Sequence, residues 1–337
     1  MRQPSGPPFR SPLLCHNVPM NAVNILLRCA VASFLVSSTM LWAQAPAAPG
    51  AAAPSSPTAV LVKQAQQLNS EGKQDEALAT YRKALEISPN DVDAHLGMGV
   101  VLDLKGDYGE ARRHFTEAMN AAPAEGKERT WRTMAISFVF ECNMAEAGKL
   151  EQQVFDVRMT RQDYLAAADI ANETARLYLE CGDIDRAEKW YKTGYEMSGR
   201  KTDISDADKN LWLFRWEHAQ ARIAARRGKA EEAQKHVSAA KLALDKANNP
   251  QQALFFPYLT GYVAYYAGDY KTAMADLQQA DQHDPFILSL LAQACQQTGD
   301  QMRAVALYRK VLTFNTHNPT NAFARPLAKK KLEMGKH

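Results

Sequence analysis

Arginine and aromatic side chains recur at helical spacing along several stretches of this sequence, and together they offer the chemistry of binding. Aromatic rings bring large contact areas, and a guanidinium donates paired hydrogen bonds to a carboxylate. We therefore predict a partner-binding surface. The alternative is that the tyrosines pack in the core and that the arginines form a solvated helix face. Its predicted members are Phe255, Tyr258, Tyr262, Tyr265, Tyr266, Arg215, His218, Arg222, Arg226, Arg129, Arg132 and Arg176.

Motifs that would indicate an enzyme do not occur. The sequence contains no H-E-x-x-H, C-x-x-C, G-x-G-x-x-G, P-loop or G-x-S-x-G pattern. His95 and His114 lie close in sequence, but no carboxylate or cysteine joins them at the spacing of a metal site, so we predict packing and surface roles for them. The sequence predicts no catalytic residue, no metal and no cofactor.

The elements that must position these side chains repeat along the chain. A short turn segment, usually beginning with glycine, ends in an alanine seven times, at intervals of 31 to 46 residues. Periods in this range are typical of a solenoid of stacked units, each of which lacks a complete core of its own. The seven alanines are Ala77, Ala111, Ala147, Ala187, Ala233, Ala273 and Ala304.

The unit over residues 92–125 shows how each repeat is built. Its apolar residues predict two amphipathic helices. Gly106 separates the two helices and is free to take the left-handed conformation that ends a helix. Small residues on the facing sides, Gly99 and Ala111, allow close approach, and Phe115 fills the space beside them.

These residues resemble the tetratricopeptide repeat, or TPR, a helix–turn–helix unit of 34 residues. The resemblance implies an all-α, right-handed α-solenoid superhelix of about seven repeats, with a capping helix over residues 322–337. It also implies that the first helix of each repeat lines a concave groove where partner peptides lie. The solenoid covers residues 58–321, and the units span about 58–91, 92–125, 128–161, 168–201, 214–247, 254–284 and 285–316.

The three middle units depart from the pattern of the family. Cys142 replaces a turn glycine, and Glu151 stands where an aromatic residue is expected. Two first helices are predicted to be long, over residues 163–180 and 206–227. The Lys/Asn–Asn–Lys/Arg clamp of TPR domains that capture acidic chaperone tails is absent, since only Arg129 is suitable at the corresponding positions.

The N-terminal segment predicts export. Residues 30–43 are apolar and are followed by small residues, which indicates a signal peptide over residues 1–47, with Met20 as an alternative start. Residues 48–57 are rich in proline and alanine and are interpreted as a linker. The predicted location is periplasmic or extracellular; anchoring in the inner membrane through residues 30–43 is the alternative.

Charge and cysteine content narrow the class of protein further. The net charge is +3, and all of that excess lies in the predicted signal segment, so no nucleic-acid partner is expected. Three cysteines remain after that segment: Cys142, Cys181 and Cys295. Cys142 and Cys181 lie near the turns of adjacent units, but the usual spacing of packed helices argues against a bridge between them.

We therefore predict an exported scaffold that binds a partner polypeptide in a groove. A structural or assembly subunit of an envelope complex, or a self-associating solenoid, is the main alternative. An enzyme or small-ligand carrier, with its site in the lumen of the superhelix, is a third. Because repeats contact only their neighbours in such folds, truncation from the C-terminus is expected to remove repeats progressively.

Overall fold

The computed structural model describes residues 56–335, which form fifteen α-helices and no β-strand within that range. Two short 3-10 turns, Ala124–Gly126 and Pro250–Gln252, precede the fifth and eleventh helices. The helices are α1 Pro57–Ser70, α2 Gln74–Ile87, α3 Val92–Lys105, α4 Tyr108–Ala121, α5 Lys127–Val139, α6 Met144–Thr160, α7 Tyr164–Glu180, α8 Ile184–Ser198, α9 Asp206–Arg226, α10 Ala230–Ala247, α11 Phe255–Tyr266, α12 Tyr270–Gln279, α13 Pro285–Gln297, α14 Gln301–Val311 and α15 Pro319–Met334.

The first fourteen helices form seven antiparallel pairs, each stacked on the next. The largest interfaces join the two helices of a pair, from α1 with α2 to α13 with α14, and smaller ones join consecutive pairs. Apolar clusters run across these junctions, so each pair completes its core with residues of its neighbours. The predicted all-α solenoid is confirmed.

The pair of α3 and α4 shows why these residues fold locally as they do. The Asp91 carboxylate caps α3 by accepting a hydrogen bond from the backbone N–H of Ala94 at 2.8 Å. Gly106 ends α3 with φ 97°, in the left-handed region. Gly99 permits close packing, because an added Cβ would lie 2.4 Å from the Phe115 ring. The predicted roles of both glycines are confirmed.

The middle units deviate from the pattern as the sequence indicates. Helix α7 has 17 residues and α9 has 21, which confirms the two long first helices. Cys142 takes the left-handed conformation of the missing glycine, with φ 50°. Glu151, at the position expected to be aromatic, is fully buried, and neither of its carboxyl oxygens has a hydrogen-bond partner in residues 56–335.

The expectation that Cys142 and Cys181 do not pair is wrong. They form a disulfide, and their Cα atoms are 5.4 Å apart. The expectation compared the largest Cα–Cα distance that a disulfide allows, about 7 Å, with the distance between the axes of packed helices, about 8–10 Å. Backbone atoms lie about 2.3 Å from the axis of a helix, so Cα atoms on facing sides come much closer than the axes do. The third cysteine, Cys295, is a free thiol and is buried.

Helix α15 packs on α13 and α14, as a cap on the last repeat should, but it also contacts α5. Arg325 Nε donates a hydrogen bond to the carbonyl of Leu104 at 2.7 Å, and Lys329 Nζ donates one to that of Lys105 at 2.8 Å. Leu104 and Lys105 end α3, so α15 ties the last pair to the second. The predicted polar helix therefore has a buried face, made of Asn321, Ala322, Ala324, Arg325 and Ala328.

The predictions for the N-terminal segment fall largely outside the described range. The signal peptide, the alternative start, the anchor and most of the linker lie in residues 1–55. Within residues 56–335, no helix combines the length and the apolar character needed to cross a membrane. Helix α1 begins at Pro57, and the Ser56 hydroxyl accepts a hydrogen bond from the backbone N–H of Ala59.

Candidate partner-binding site

Three first helices, α7, α9 and α11, line a cavity of about 390 Å³. Each contributes side chains three or four positions apart, which places them on one face of the helix. Residues 318–320, at the start of α15, also line it. We call this space the arginine cavity, and we call the side of the first helices that faces α15 the concave surface. Half of the predicted set meets here: Arg176, Arg215, His218, Arg222, Phe255 and Tyr258.

Two carboxylates at the mouth of the arginine cavity are neutralised by arginines. Arg215 Nη1 donates to Asp169 Oδ1 at 2.9 Å, and Arg132 Nη2 donates to Glu173 Oε2 at 2.7 Å. Their side chains are partly exposed, so each pair contributes less than about 1 kcal/mol. The pairs orient the two arginines along the stacked helices.

A buried polar network lies behind the cavity, around the carboxylate of Glu180. Arg222 and Arg226 each approach that carboxylate at 3.4 Å, and the Tyr262 hydroxyl donates to it at 3.3 Å. Arg222 Nη2 also donates to the Tyr191 hydroxyl at 2.6 Å. Buried charges need this kind of pairing. The network holds α7, α8, α9 and α11 in register.

The aromatic stripe of α11 divides between core and surface. Tyr262 is fully buried and offers no contact area to a partner, and Tyr258, which is 3% exposed, only forms part of the cavity wall. Their burial supports the packing alternative for these two residues. Tyr265 is half-buried and stacks edge-on against Tyr266, whereas Phe255, at 44%, is the most exposed ring of the stripe. A partner can therefore reach Phe255 without any rearrangement.

Arg129 and Arg132 do not line the arginine cavity, although Arg132 reaches Glu173 at its mouth. Both line a second cavity of about 450 Å³, beside α5 and α6, together with Arg158, Arg161 and Glu128. Arg129 Nη1 donates to Asp93 at 2.5 Å on the surface. Arg226 also lies outside the arginine cavity, where its guanidinium contacts Tyr262 and Tyr266.

Arg176 and His218 stand out in the arginine cavity because a buried nitrogen of each, Arg176 Nε and His218 Nε2, has no hydrogen-bond partner in residues 56–335. Among residues 56–335, Arg176 donates no hydrogen bond, and its nearest carboxylate is that of Asp284, at 4.0 Å. His218 is 8% exposed, and its Nε2 has no hydrogen-bond partner in the same range. Burial, with help from Arg222 and Arg176, lowers the pKa of His218 well below its ordinary value, so the imidazole is neutral at pH 7.

The two histidines singled out in the sequence contact each other. His95 Nδ1 and His114 Nδ1 are 3.0 Å apart, and His95 Nε2 lies 2.9 Å from the carbonyl oxygen of Pro89. Burial lowers the pKa of His114. In the described part of the chain, no group of three or more His, Cys, Asp or Glu side chains is arranged to hold a metal ion.

Comparison with known proteins agrees with this architecture. The family model described as "TPR repeat" matches residues 65–106. That match covers the end of α1 together with α2 and α3. The crystal structure of a tetratricopeptide repeat protein from Parabacteroides merdae superposes with a TM-score of 0.50 at 12% identity, and covers 83% of this chain and 99% of that one. At that identity the match shows the fold alone.

Two curated proteins of Komagataeibacter xylinus are also similar to this chain. "Cellulose synthase 1 operon protein C" is 28% identical over 273 residues, which is 76% of this chain. "Cellulose synthase operon protein C" is 42% identical over 76 residues, which is 21% of this chain. The chain spans only 18% of the length of the first protein and 6% of the second.

Several residues of the arginine cavity are missing from the predicted set. Asp169 and Glu173 occupy the same face of α7 as Arg176, and helical spacing alone could have found them. Glu180 follows on that face one turn later. Residues 318–320 could not have been found, because only the fold brings α15 back against α7 and α9.

Proposed function

We propose that this protein is an exported scaffold that holds a segment of a partner polypeptide on its concave surface, at the arginine cavity. One observation carries the proposal. The solenoid collects an exposed aromatic ring, unpartnered polar groups and arginines from three consecutive first helices around one open cavity. Aromatic residues and arginine are the side chains most enriched at protein interfaces. The proposal assigns the chain no catalytic activity and no cofactor.

The disulfide supports the proposed location. Structural disulfides persist in secreted, periplasmic and cell-surface proteins and are rare in the cytosol of ordinary bacteria. The bridge joins Cys142 and Cys181, at the turns of neighbouring pairs, and so cross-links the middle of the solenoid. We infer an extracytoplasmic protein, periplasmic or extracellular.

The partner is proposed by chemistry and by similarity. A solenoid groove of this kind accepts an extended or helical segment without large changes in the repeats. Since two similar proteins carry the name of a cellulose synthase operon, polypeptides of a cellulose synthesis system are the first partners to test.

Photocrosslinking in intact cells tests the proposal. The photoreactive residue p-benzoylphenylalanine is placed at Phe255 in the cavity, and at Leu242 on the second helix α10 as a control; both positions are exposed. We expect a crosslinked polypeptide at position 255 and none at 242. No adduct at 255, or equal adducts at both positions, contradicts the proposal.

Self-association is the competing function. The same crosslinking experiment separates the two, because an adduct with twice the mass of the chain, composed of this chain alone, indicates a self-assembling solenoid. Light scattering of the protein beginning at Ala48 provides a second measurement. A mass that rises with concentration supports assembly, and a constant monomer mass supports the scaffold.

A further inference from the structure

The arginine cavity and the polar network behind it together carry one more positive charge than their carboxylates neutralise. Three guanidinium groups, those of Arg176, Arg222 and Arg226, meet only two carboxylates, those of Glu180 and Asp284. Both Arg222 and Arg226 share Glu180, and Asp284 is 4.0 Å from Arg176. Buried charges are normally balanced, so an unbalanced guanidinium beside a cavity indicates the place of an anion.

Arg176 is the group that remains free. Asp284 Oδ2 lies 4.0 Å from Arg176 Nη2, beyond hydrogen-bond distance, and the carboxylate is held there because its Oδ1 caps α13 by accepting hydrogen bonds from Phe286 N at 2.7 Å and Ile287 N at 3.4 Å. The Arg176 guanidinium instead lies over the Phe286 ring, 5.5 Å from its centroid. Its Nε is buried without a partner. Stacked in this way, the guanidinium is held in place but keeps its hydrogen bonds available.

His218 supplies a second free group on the adjacent helix. It lines the same cavity, it is more than nine-tenths buried, and its Nε2 is unpaired in residues 56–335. In its Nε2–H tautomer the neutral ring donates one hydrogen bond, which an anion can accept. The carboxylates of Asp169 and Glu173 do not compete for Arg176, because Arg215 and Arg132 hold them.

The remaining wall of the cavity is apolar. Phe214, Phe255 and Tyr258 line it, and Phe214 packs edge-on against the His218 ring. Pro319 and Thr320 add the first residues of α15, whose N-terminal end carries a partial positive charge. A volume of about 390 Å³ takes a carboxylate together with an apolar group the size of one large side chain.

We propose that the arginine cavity binds a carboxylate carried on an apolar body, with Arg176 and His218 donating to its oxygens and Phe255 contacting the apolar part. The inference rests on the proposed function, in which this surface holds a polypeptide. The carboxylate then belongs to the C-terminal residue or an acidic side chain of the partner, and a free organic acid is the other source of the same chemistry.

Calorimetric titration of the purified chain with 3-phenylpropanoate tests the site, with 3-phenylpropanamide as the uncharged probe of matched shape. We expect saturable binding of the acid with a Kd of about 1 mM, and no saturable binding of the amide. R176Q should weaken binding of the acid at least about tenfold, and R176K should restore part of it. R113Q, which changes an exposed arginine outside the cavity, should leave the Kd unchanged.

Peptide probes distinguish the sources of the carboxylate. If the partner's C-terminus is recognised, acetyl-Ala-Ala-Phe with a free C-terminus should bind more tightly than its C-terminal amide. If an acidic side chain is recognised, acetyl-Ala-Glu-Phe amide should bind more tightly than acetyl-Ala-Ala-Phe amide. Binding of 3-phenylpropanoate without any peptide indicates a small-acid site.

Equal binding of acid and amide, no saturable binding of the acid, or an unchanged Kd in R176Q overturns the inference. If any of these results is found but the partner still crosslinks at position 255, only the carboxylate site is contradicted and the proposed function stands. If the acid binds but no polypeptide crosslinks at position 255, the proposed function is contradicted and the carboxylate site stands.

Discussion

His317 Nε2 lies 2.8 Å from Asp103 Oδ2, although the two residues are 214 positions apart. Both side chains are almost completely buried, and Ser137 Oγ donates to the other carboxylate oxygen of Asp103 at 2.9 Å. The pair joins the segment before α15 to the end of α3. Contacts between neighbouring repeats alone would not close this solenoid on itself, so the pair makes the chain more cooperative than a linear stack.

The first prediction concerns this pair. H317A should lower the free energy of unfolding by about 3 kcal/mol, because it leaves the carboxylate of Asp103 buried without its main partner. Urea denaturation followed by circular dichroism measures the change. H283A serves as the matched control: His283 is 92% exposed beside Asp281, and the change expected there is within about 0.5 kcal/mol. Equal effects of the two variants would contradict a special role for His317.

The second prediction concerns truncation. Loss of residues 315–337 removes α15 and should increase amide exchange in two places, at α13 and α14 and also at α3 and α5. This differs from the progressive loss of repeats from one end that the linear stack predicts. Hydrogen–deuterium exchange with mass spectrometry locates the change. Exchange that rises only in α13 and α14 would show that α15 is a local cap.

The third prediction follows from Glu151. Desolvation, with repulsion from Glu173, raises the pKa of Glu151 from 4.5 to about 8. Since the folded state binds the proton more tightly than the unfolded state, stability should fall as pH rises from about 4.5 to 8 and then level off. E151Q carries no such charge, and at pH 7 it should be more stable than the wild type by about 3 kcal/mol. At pH 4.5 the gap should close.

Thermal unfolding of both proteins across this pH range measures the effect. E117Q, which changes an exposed glutamate, is the control and should follow the wild type in parallel. A constant difference between wild type and E151Q at every pH would mean that Glu151 does not titrate in this range.

The fourth prediction concerns the disulfide, whose closed loop has a sequence separation of 39. Reduction, or the double change C142S and C181S, should lower the free energy of unfolding by about 3–4 kcal/mol through the added entropy of the unfolded chain. The double variant is its own control for the reductant, since dithiothreitol should then cause no further loss. An unchanged free energy of unfolding of the wild-type protein in dithiothreitol would contradict the prediction.

The fifth prediction separates packing from binding on α11. Y262A should cost about 3–5 kcal/mol of stability, because it empties a fully buried site and removes a donor to Glu180. F255A should change stability by less than about 0.5 kcal/mol but reduce capture of the partner. Denaturation of the two variants measures their stability, and affinity capture with the same variants measures binding of the partner. Undiminished capture by F255A would remove Phe255 from the proposed site.

The sequence by itself determined the repeating helical pairs. Turn residues such as Gly106 act locally, and the apolar spacing around Phe115 sets which helix face is buried, so both can be read without knowing the fold. The same spacing located the face of α9 that carries Arg215, His218 and Arg222. Periodicity could not decide between packing and binding on α11. Tyr262 and Phe255 belong to the same run of aromatic residues at helical spacing, but Tyr262 is buried and Phe255 is exposed.

Only the tertiary structure decided which of these side chains share a cavity, that Cys142 meets Cys181, and that α15 returns to α3. The first two depend on how neighbouring pairs stack, and the return of α15 depends on the curvature accumulated over several repeats, a sum of small rotations that no single repeat encodes visibly. Contacts across 214 residues, such as that of His317 with Asp103, leave no periodic trace in the sequence. For that reason Arg176 looks like any other arginine of a helix face until the fold shows that its partner is missing.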